Sequence, residues 1–233
     1  MFPWNEKTIK WFKNASRYTH FHQRLSEHIE LMSSSAEALC DIGCGLGLLS
    51  FELYPNFKSV TLIDKSSAAI DDVKSEIAYR KLSNVKAICA DYREGLKEKC
   101  DLILMSFFSG FEVRGIAQKC NKIIFITNQD KAVHIHHRPA QGGGFGRTES
   151  EICDMLKKAL IPHTVKRVAL EFGQPFVSRE EAIDYIGSYN YYLSASTDLE
   201  GVLKKIKDTG NKEFPFYLPH VKELSIITTA PTR

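Results

Sequence analysis

Several things are scarce in this chain of 233 residues, and each scarcity excludes something. Charge of one sign is scarce: 31 Lys and Arg against 28 Asp and Glu leave a net charge of +3. That excess is too small for nucleic acid on its own, because binding phosphate electrostatically takes several clustered cations. Long apolar runs are missing, and stretches such as Lys122 to Thr127 fall far short of the roughly 20 residues of a membrane span. Met1-Phe2-Pro3-Trp4-Asn5-Glu6-Lys7 has no basic segment followed by an apolar one, so no secretory signal is expected. Cys40, Cys44, Cys89, Cys100, Cys120 and Cys153 form no Cys-x-x-Cys pair and no zinc-ligand spacing. Several lie in or beside apolar runs, where free cysteine behaves as a small buried hydrophobe; reduced thiols and a cytoplasmic protein are expected. Internal repeats and low-complexity segments are absent. What remains, 43% hydrophobic and 25% charged, is an ordinary globular composition, long enough for one generous α/β domain or two small ones.

After about residue 36, short apolar runs alternate with amphipathic stretches, the pattern of a mostly parallel sheet covered by helices. Ala38 to Ile42, Ser59 to Asp64, Val85 to Ala90, Asp101 to Met105 and Lys122 to Thr127 read as the first five strands. Leu48 to Tyr54 reads as a short helix, and Ile70, Val73 and Ile77 mark the face of another behind Ser66 and Ser67 as N-caps. Three pairs with capping-box spacing follow: Thr148 with Glu151, Ser178 with Glu181, and Thr197 with Glu200. The first should open a helix with Ile152, Met155, Leu156 and Leu160 on one face; the last should bury Leu199, Val202, Leu203 and Ile206. Val165 to Phe172 and Val221 to Thr229, rich in β-branched residues, should be the last two strands. Residues 1–36 look helical, with Phe21, Leu25, Ile29 and Met32 spaced for one face. Residues 173–218 make a long connection with at least one extra helix.

The strongest signal is Asp41-Ile42-Gly43-Cys44-Gly45-Leu46-Gly47, a glycine-rich turn directly after a strand and opening a helix. Glycine lets backbone approach a ligand closely, and a helix N-terminus offers unpaired N–H groups to a negative group. The dinucleotide fingerprint spaces its third glycine three residues after its second and cradles a pyrophosphate. Here the glycines alternate, and Asp41 would repel a pyrophosphate while supporting an ammonium group. The spacing argues against a nicotinamide cofactor.

The turn resembles the first motif of the class I S-adenosylmethionine-dependent methyltransferases, and further markers of that family follow in order. Asp64, ending the second strand, matches the acid that grips the ribose hydroxyls, with Lys65 beside it. Asp91, with Tyr92, matches the residue beside the adenine. Asp101 to Ser106 matches the strand whose closing loop faces the transferable methyl. The resemblance thus implies S-adenosylmethionine as cofactor, with Asp41, Gly43, Cys44, Gly45, Gly47, Asp64, Lys65, Asp91, Tyr92 and Ser106 at its site. Cys44 is assigned backbone contact, not thiol chemistry. By the same analogy Tyr18 approaches the cofactor's carboxylate. Alternative roles stay open: Gly43, Gly45 and Gly47 suit a plain tight turn, Asp64 and Asp91 suit helix N-termini, and Tyr18 suits simple packing.

The acceptor is less legible. Family members that methylate amide or exocyclic nitrogens carry Asn or Asp, two prolines and an aromatic after the fourth strand. Met105-Ser106-Phe107-Phe108-Ser109-Gly110 departs from that and counts against adenine or glutamine. His20, Phe107, His134, His136 and Tyr191 are candidate substrate contacts. His134, His136 and His137 invite a metal reading, but no nearby carboxylate or thiol completes a ligand set, so no metal is assigned. No catalytic base is assigned either. The four glycines of 142–146 make residues 131–147 a candidate lid together with the N-terminal helices.

The expected architecture is one domain over 1–233: a Rossmann-like α/β fold whose seven-stranded, mostly parallel sheet carries helices on both faces. Residues 1–36 form a helical cap, 37–172 the cofactor-binding core, 173–218 a helical insertion and 219–233 the last strand, antiparallel as the family implies. The expected reaction is methyl transfer to a small molecule, with no membrane and no nucleic acid as partner. An RNA methyltransferase and a non-catalytic S-adenosylmethionine-binding module are the alternatives. Against the first, Lys204, Lys205 and Lys207 read as one solvated helix face and not a basic stripe.

Overall fold

A computed structural model describes residues 2–33, 36–108, 110–129, 146–193 and 199–230, with the side chains of 31, 33, 189–193 and 199 left aside. Seven strands form the main sheet. They are β1 (Ala38–Ile42), β2 (Ser59–Asp64), β3 (Val85–Cys89), β4 (Cys100–Ser106), β5 (Cys120–Asn128), β6 (His163–Glu171) and β10 (Val221–Thr229). Their order is β3-β2-β1-β4-β5-β10-β6, with β10 antiparallel to both neighbours and the other pairings parallel. The chain winds outward from β1 in both directions, so a crevice opens at the carboxyl ends of β1 and β4, where such sheets bind ligands.

Alternation along the strands sorts the core into two layers. Leu39, Leu62, Leu102, Leu104, Ile124, Ile126, Leu224 and Ile226 share one face with Phe21, Leu25 and Ile29 of helix α2 (Phe21–Ser33) and Leu49 and Phe51 of α3 (Leu48–Leu53). On the opposite face Ile42, Ile63, Ile103, Met105, Ile123 and Phe125 meet α6 (Val113–Ala117) and α7 (Glu149–Lys158). Ser66 caps α4 (Ser67–Arg80), and Thr148 and Glu151 complete the capping box of α7. Asp101 works at the far end of the sheet, accepting from the N–H groups of Glu37 and Ala38 at 2.8 and 2.9 Å, which clamps the start of β1 to β4.

Two expectations need correction. Leu160 is not on the buried face of α7: it is 87% exposed. The helix stops at Lys158 and Leu160 takes a left-handed φ of 58°, so the helical period no longer applies to it. The long connection also holds more than helices. Beside α8 (Arg179–Leu193) and α9 (Leu199–Leu203), three short strands, β7 (Gln174–Phe176), β8 (Lys207–Asp208) and β9 (Phe216–Leu218), pair as a second sheet in the order β7-β9-β8. Ser178 caps Glu181 as expected, but the Glu181 carboxylate turns back to the N–H of Val177 at 2.8 Å. Thr197 lies outside the described residues.

The N-terminal cap is helix α1 (Glu6–Thr19) followed by α2, hinged at His20 with φ 54°. Trp11 of α1 packs in a third apolar cluster with Phe176, Tyr185, Ile186 and Leu218 of the connection. Glu181 accepts from Lys10 Nζ at 2.8 Å and from Trp11 Nε1 at 3.3 Å, and Gln174 Nε2 donates to the Trp11 carbonyl at 3.1 Å. Cap and connection are therefore joined to each other on the rim of the sheet.

Candidate functional site

The turn after β1 runs with left-handed backbone at Gly43, Gly45 and Gly47, φ 72°, 53° and 64°. A side chain at 43 would collide with the ring of Phe108, and a Cβ at 45 would lie 3.0 Å from Trp4. Glycine is thus required twice over, by dihedral and by space. The N–H groups of the turn itself are engaged. Gly43 and Cys44 both donate to the Ile63 carbonyl at 2.8 and 3.1 Å, and Gly47 donates to Cys44 at 2.8 Å. They hold the turn against β2, so a ligand on this turn meets its edge and the nearby side chains.

Those side chains include three polar groups at neighbouring strand ends. The register sets Asp41 beside Leu62 and Leu104, so alternation puts Asp41, Asp64 and Ser106 on the same face of the sheet. Asp41 is 2% exposed; one oxygen accepts from Ser50 Oγ at 2.7 Å and the other has no partner. Burial pushes its carboxyl up to about 7, with Ser50 opposing and the Asp64 charge adding to the rise. Ser106 Oγ is likewise buried and unpartnered. Asp64 accepts from the N–H of Gly45 at 2.9 Å and of Ser66 at 2.8 Å, which leaves lone pairs on both oxygens.

Farther along the edge, Asp91 caps α5 (Tyr92–Gly95), accepting from Arg93 N at 2.9 Å. Arg93 first, then Lys65 at 2.5 Å, hold its carboxyl far below the usual carboxylate range. Asp91 and Lys65 are thus paired with each other, next to Tyr92, whose ring meets Phe108 edge-on at 5.8 Å. Burial, with Asp41 and Asp64 nearby, pushes the Cys44 thiol well up, in keeping with a backbone role.

The remaining sequence candidates scatter. Tyr18 packs against Tyr217 at 4.9 Å and Phe214 at 5.9 Å, beside the small sheet. His20 is exposed at the hinge between α1 and α2. Phe107 follows Ser106 directly, with φ 53° and its N–H donating to Ile126 at 2.8 Å. His134 and His136, with most of the 131–147 segment, lie outside the described residues, as does the Tyr191 side chain. Sequence reading missed Trp4 and Phe108, the two rings over the glycine turn. Trp4 also meets Phe12 at 5.4 Å, so the start of the chain leads an aromatic line across the site. An aromatic pair after the fourth strand was visible in the sequence; nothing marked Trp4.

A family model described as a methyltransferase domain matches residues 33–222. The chain belongs to that methyltransferase family. Solved structures agree on the fold. YcgJ from Bacillus subtilis aligns at TM-score 0.59 and 13% identity, over 90% of this chain and 99% of that one. The N-methyltransferase NodS from Bradyrhizobium japonicum aligns at 0.54 and 14%, over 94% and 97%. Precorrin-6y C5,15-methyltransferase from Geobacter metallireducens aligns at 0.53 and 13%, over 89% and 87%. The methyltransferase is an enzyme of class I, whose methyl donor is S-adenosylmethionine. Among the described residues no His, Cys, Asp and Glu gather to hold a metal, and no helix is long and apolar enough to cross a membrane.

Proposed function

We propose that this methyltransferase moves the methyl of S-adenosylmethionine to a small-molecule acceptor bound at the carboxyl edge of β4 and β5. The observation that carries the cofactor half is the buried, unpartnered oxygen of Asp41 at the glycine turn. A buried polar atom without a partner is costly, and a cationic donor relieves that cost. Asp41 and Ser106 suit the ammonium end of the cofactor, Asp64 the ribose hydroxyls, and Lys65, Asp91 and Tyr92 the adenine side. Gly43, Gly45 and Gly47 keep the turn flat enough for close approach. S-adenosylmethionine supplies an activated methyl on sulfur, so these residues need only orient it and keep water away. The rings of Trp4, Phe12 and Phe172 follow one another in contact from the glycine turn and give this edge an apolar lining. Such a lining suits a compact acceptor better than a phosphate chain, which needs a basic groove. Two structural neighbours are named for methylation at nitrogen and of precorrin-6y, and both names suit this reading.

Calorimetric titration tests it. S-adenosylmethionine should bind the wild type, and Asp64→Ala should weaken binding by about 1.5–3 kcal/mol, the scale of hydrogen bonds to a charged group. Unchanged affinity would remove Asp64 from the ribose site. Screening methyl transfer from labelled S-adenosylmethionine to a small-molecule library against a mixed RNA pool then tests the acceptor half. Label appearing only in RNA would overturn it.

A further inference from the structure

Lys222 opens β10 at the carboxyl edge of the parallel strands, and alternation with Leu224 and Ile226 puts it on the same face as Asp41, Asp64 and Ser106. Along that edge the order is Asp64 on β2, Asp41 on β1, Ser106 on β4, then β5, then Lys222 on β10. Two strand spacings separate Lys222 from the Ser106 strand, or about 10 Å. Its Nζ lies 4.5 Å from the Phe172 ring centre, 4.8 Å from Phe107 and 5.6 Å from Phe21. No hydrogen bond or ion pair is made by this ammonium among the described residues. Three rings soften the burial of a cation but do not neutralise it.

The titratable groups around it are two imidazoles and one acid that is engaged elsewhere. His22 on α2 lies against Phe12, Phe21 and Phe172, and its Nδ1 meets Ser16 Oγ at 2.6 Å. Burial first, then Lys222, hold His22 down at about 3, and the same two causes hold His220 at about 4. Both imidazoles are therefore neutral at physiological pH. Glu171 on β6, the acid of this corner, accepts from the Tyr217 hydroxyl and from the N–H of His220. Desolvation lowers Lys222 itself to about 8. Phe107 holds its ring here with a left-handed φ of 53°, a conformation that side chains rarely adopt and that clusters at functional sites.

We infer that Lys222 with Phe107, backed by the buried rings of Phe21 and Phe172, is the acceptor subsite, and that it takes a compact, apolar-bodied acceptor carrying an oxyanion, carboxylate or phenolate. The inference rests on the methyl-transfer reading for its place in the reaction, and it names the acceptor class that reading left open. The Phe107 ring would pack the flat body, and the unpaired ammonium would hold the oxyanion beside the loop that follows Ser106. Lys222 is then a binding and specificity-determining residue.

The full chain is titrated with three probes, with and without S-adenosylhomocysteine: benzoate, 4-nitrophenolate, whose visible absorbance reports the anion, and benzamide as the neutral control. The wild type should bind at least one anion about tenfold more tightly than benzamide, a charge-assisted contact of about 1.4 kcal/mol. Whichever anion binds better tells carboxylate from phenolate acceptors. Lys222→Met, close in volume, should bring that anion to the level of benzamide and raise the melting temperature by removing an uncompensated charge. Lys222→Arg should keep the preference for the anion. Binding of benzamide as tight as either anion, a preference that survives in Lys222→Met, or no probe binding at all would overturn the inference. S-adenosylmethionine titrated into wild type and Lys222→Met reads the cofactor half separately. Failure of the wild type to bind it would sink the methyl-transfer reading and leave the anion result to stand by itself.

Discussion

Replacing Asp41 by asparagine keeps the shape of the side chain and removes its charge, which makes it the sharpest probe of the glycine turn. Burial raises the folded carboxyl from 3.8 to about 7. At 1.36 kcal/mol per pH unit, holding it ionised in the folded protein costs about 4 kcal/mol. The sign follows from linkage: the folded state binds the proton more tightly than the unfolded one. Its contribution is therefore complete below pH 3.8 and is lost as pH rises through about 7. At pH 5 the folded carboxyl is still protonated, and less than about 2 kcal/mol has gone; at pH 8 the full cost applies. The substituted amide does not titrate, so the stability of Asp41→Asn relative to wild type should improve by about 2 kcal/mol or more between pH 5 and pH 8. Urea unfolding of both proteins at the two pH values measures this, and titrating groups that do not interact with Asp41 cancel in the difference. Cofactor affinity should move the other way, weakening by about 1.5–3 kcal/mol, because the asparagine no longer offers a charge to an ammonium. A stability gap that stays constant with pH would mean that Asp41 is not held in the buried, half-satisfied state described. Unchanged affinity would place the ammonium elsewhere.

Gly45→Ala should lose about 1–2 kcal/mol of stability from the left-handed backbone and push Trp4 aside, visible as a shift in tryptophan emission along with lost cofactor binding. Emission and affinity both unchanged would separate Trp4 from the turn. Thr148→Ala removes the oxygen that accepts from Glu151 N at 3.3 Å and should cost about 1 kcal/mol in urea unfolding without touching cofactor affinity. A loss of affinity there would show that α7 reaches the site.

Short-range rules explain what sequence reading captured. Each main strand alternates or runs apolar over five or more residues, and each predicted cap that can be checked is one residue speaking to another three away. Asp41, Asp64 and Ser106 were legible for the same reason: each lies within a residue of a strand's end, and neighbouring parallel strands bring their ends side by side. Where the period stopped, the reading failed. Leu160 continues the apolar rhythm of α7 past the point where the helix ends, and the small sheet uses strands of two and three residues, too short to show alternation.

Local periodicity and fixed spacing are enough to encode the doubly wound sheet, the glycine turn and the acids at the strand ends. What surrounds those acids depends on segments far apart in the chain. Trp4 meets Gly45, and Lys222 meets Phe21, Phe107 and Phe172, through contacts that reach far beyond any local window. The partnerless oxygen of Asp41, the neutral histidines and the unpaired ammonium are properties of burial. Burial arises when distant segments close over a site, and no window of neighbouring residues records it.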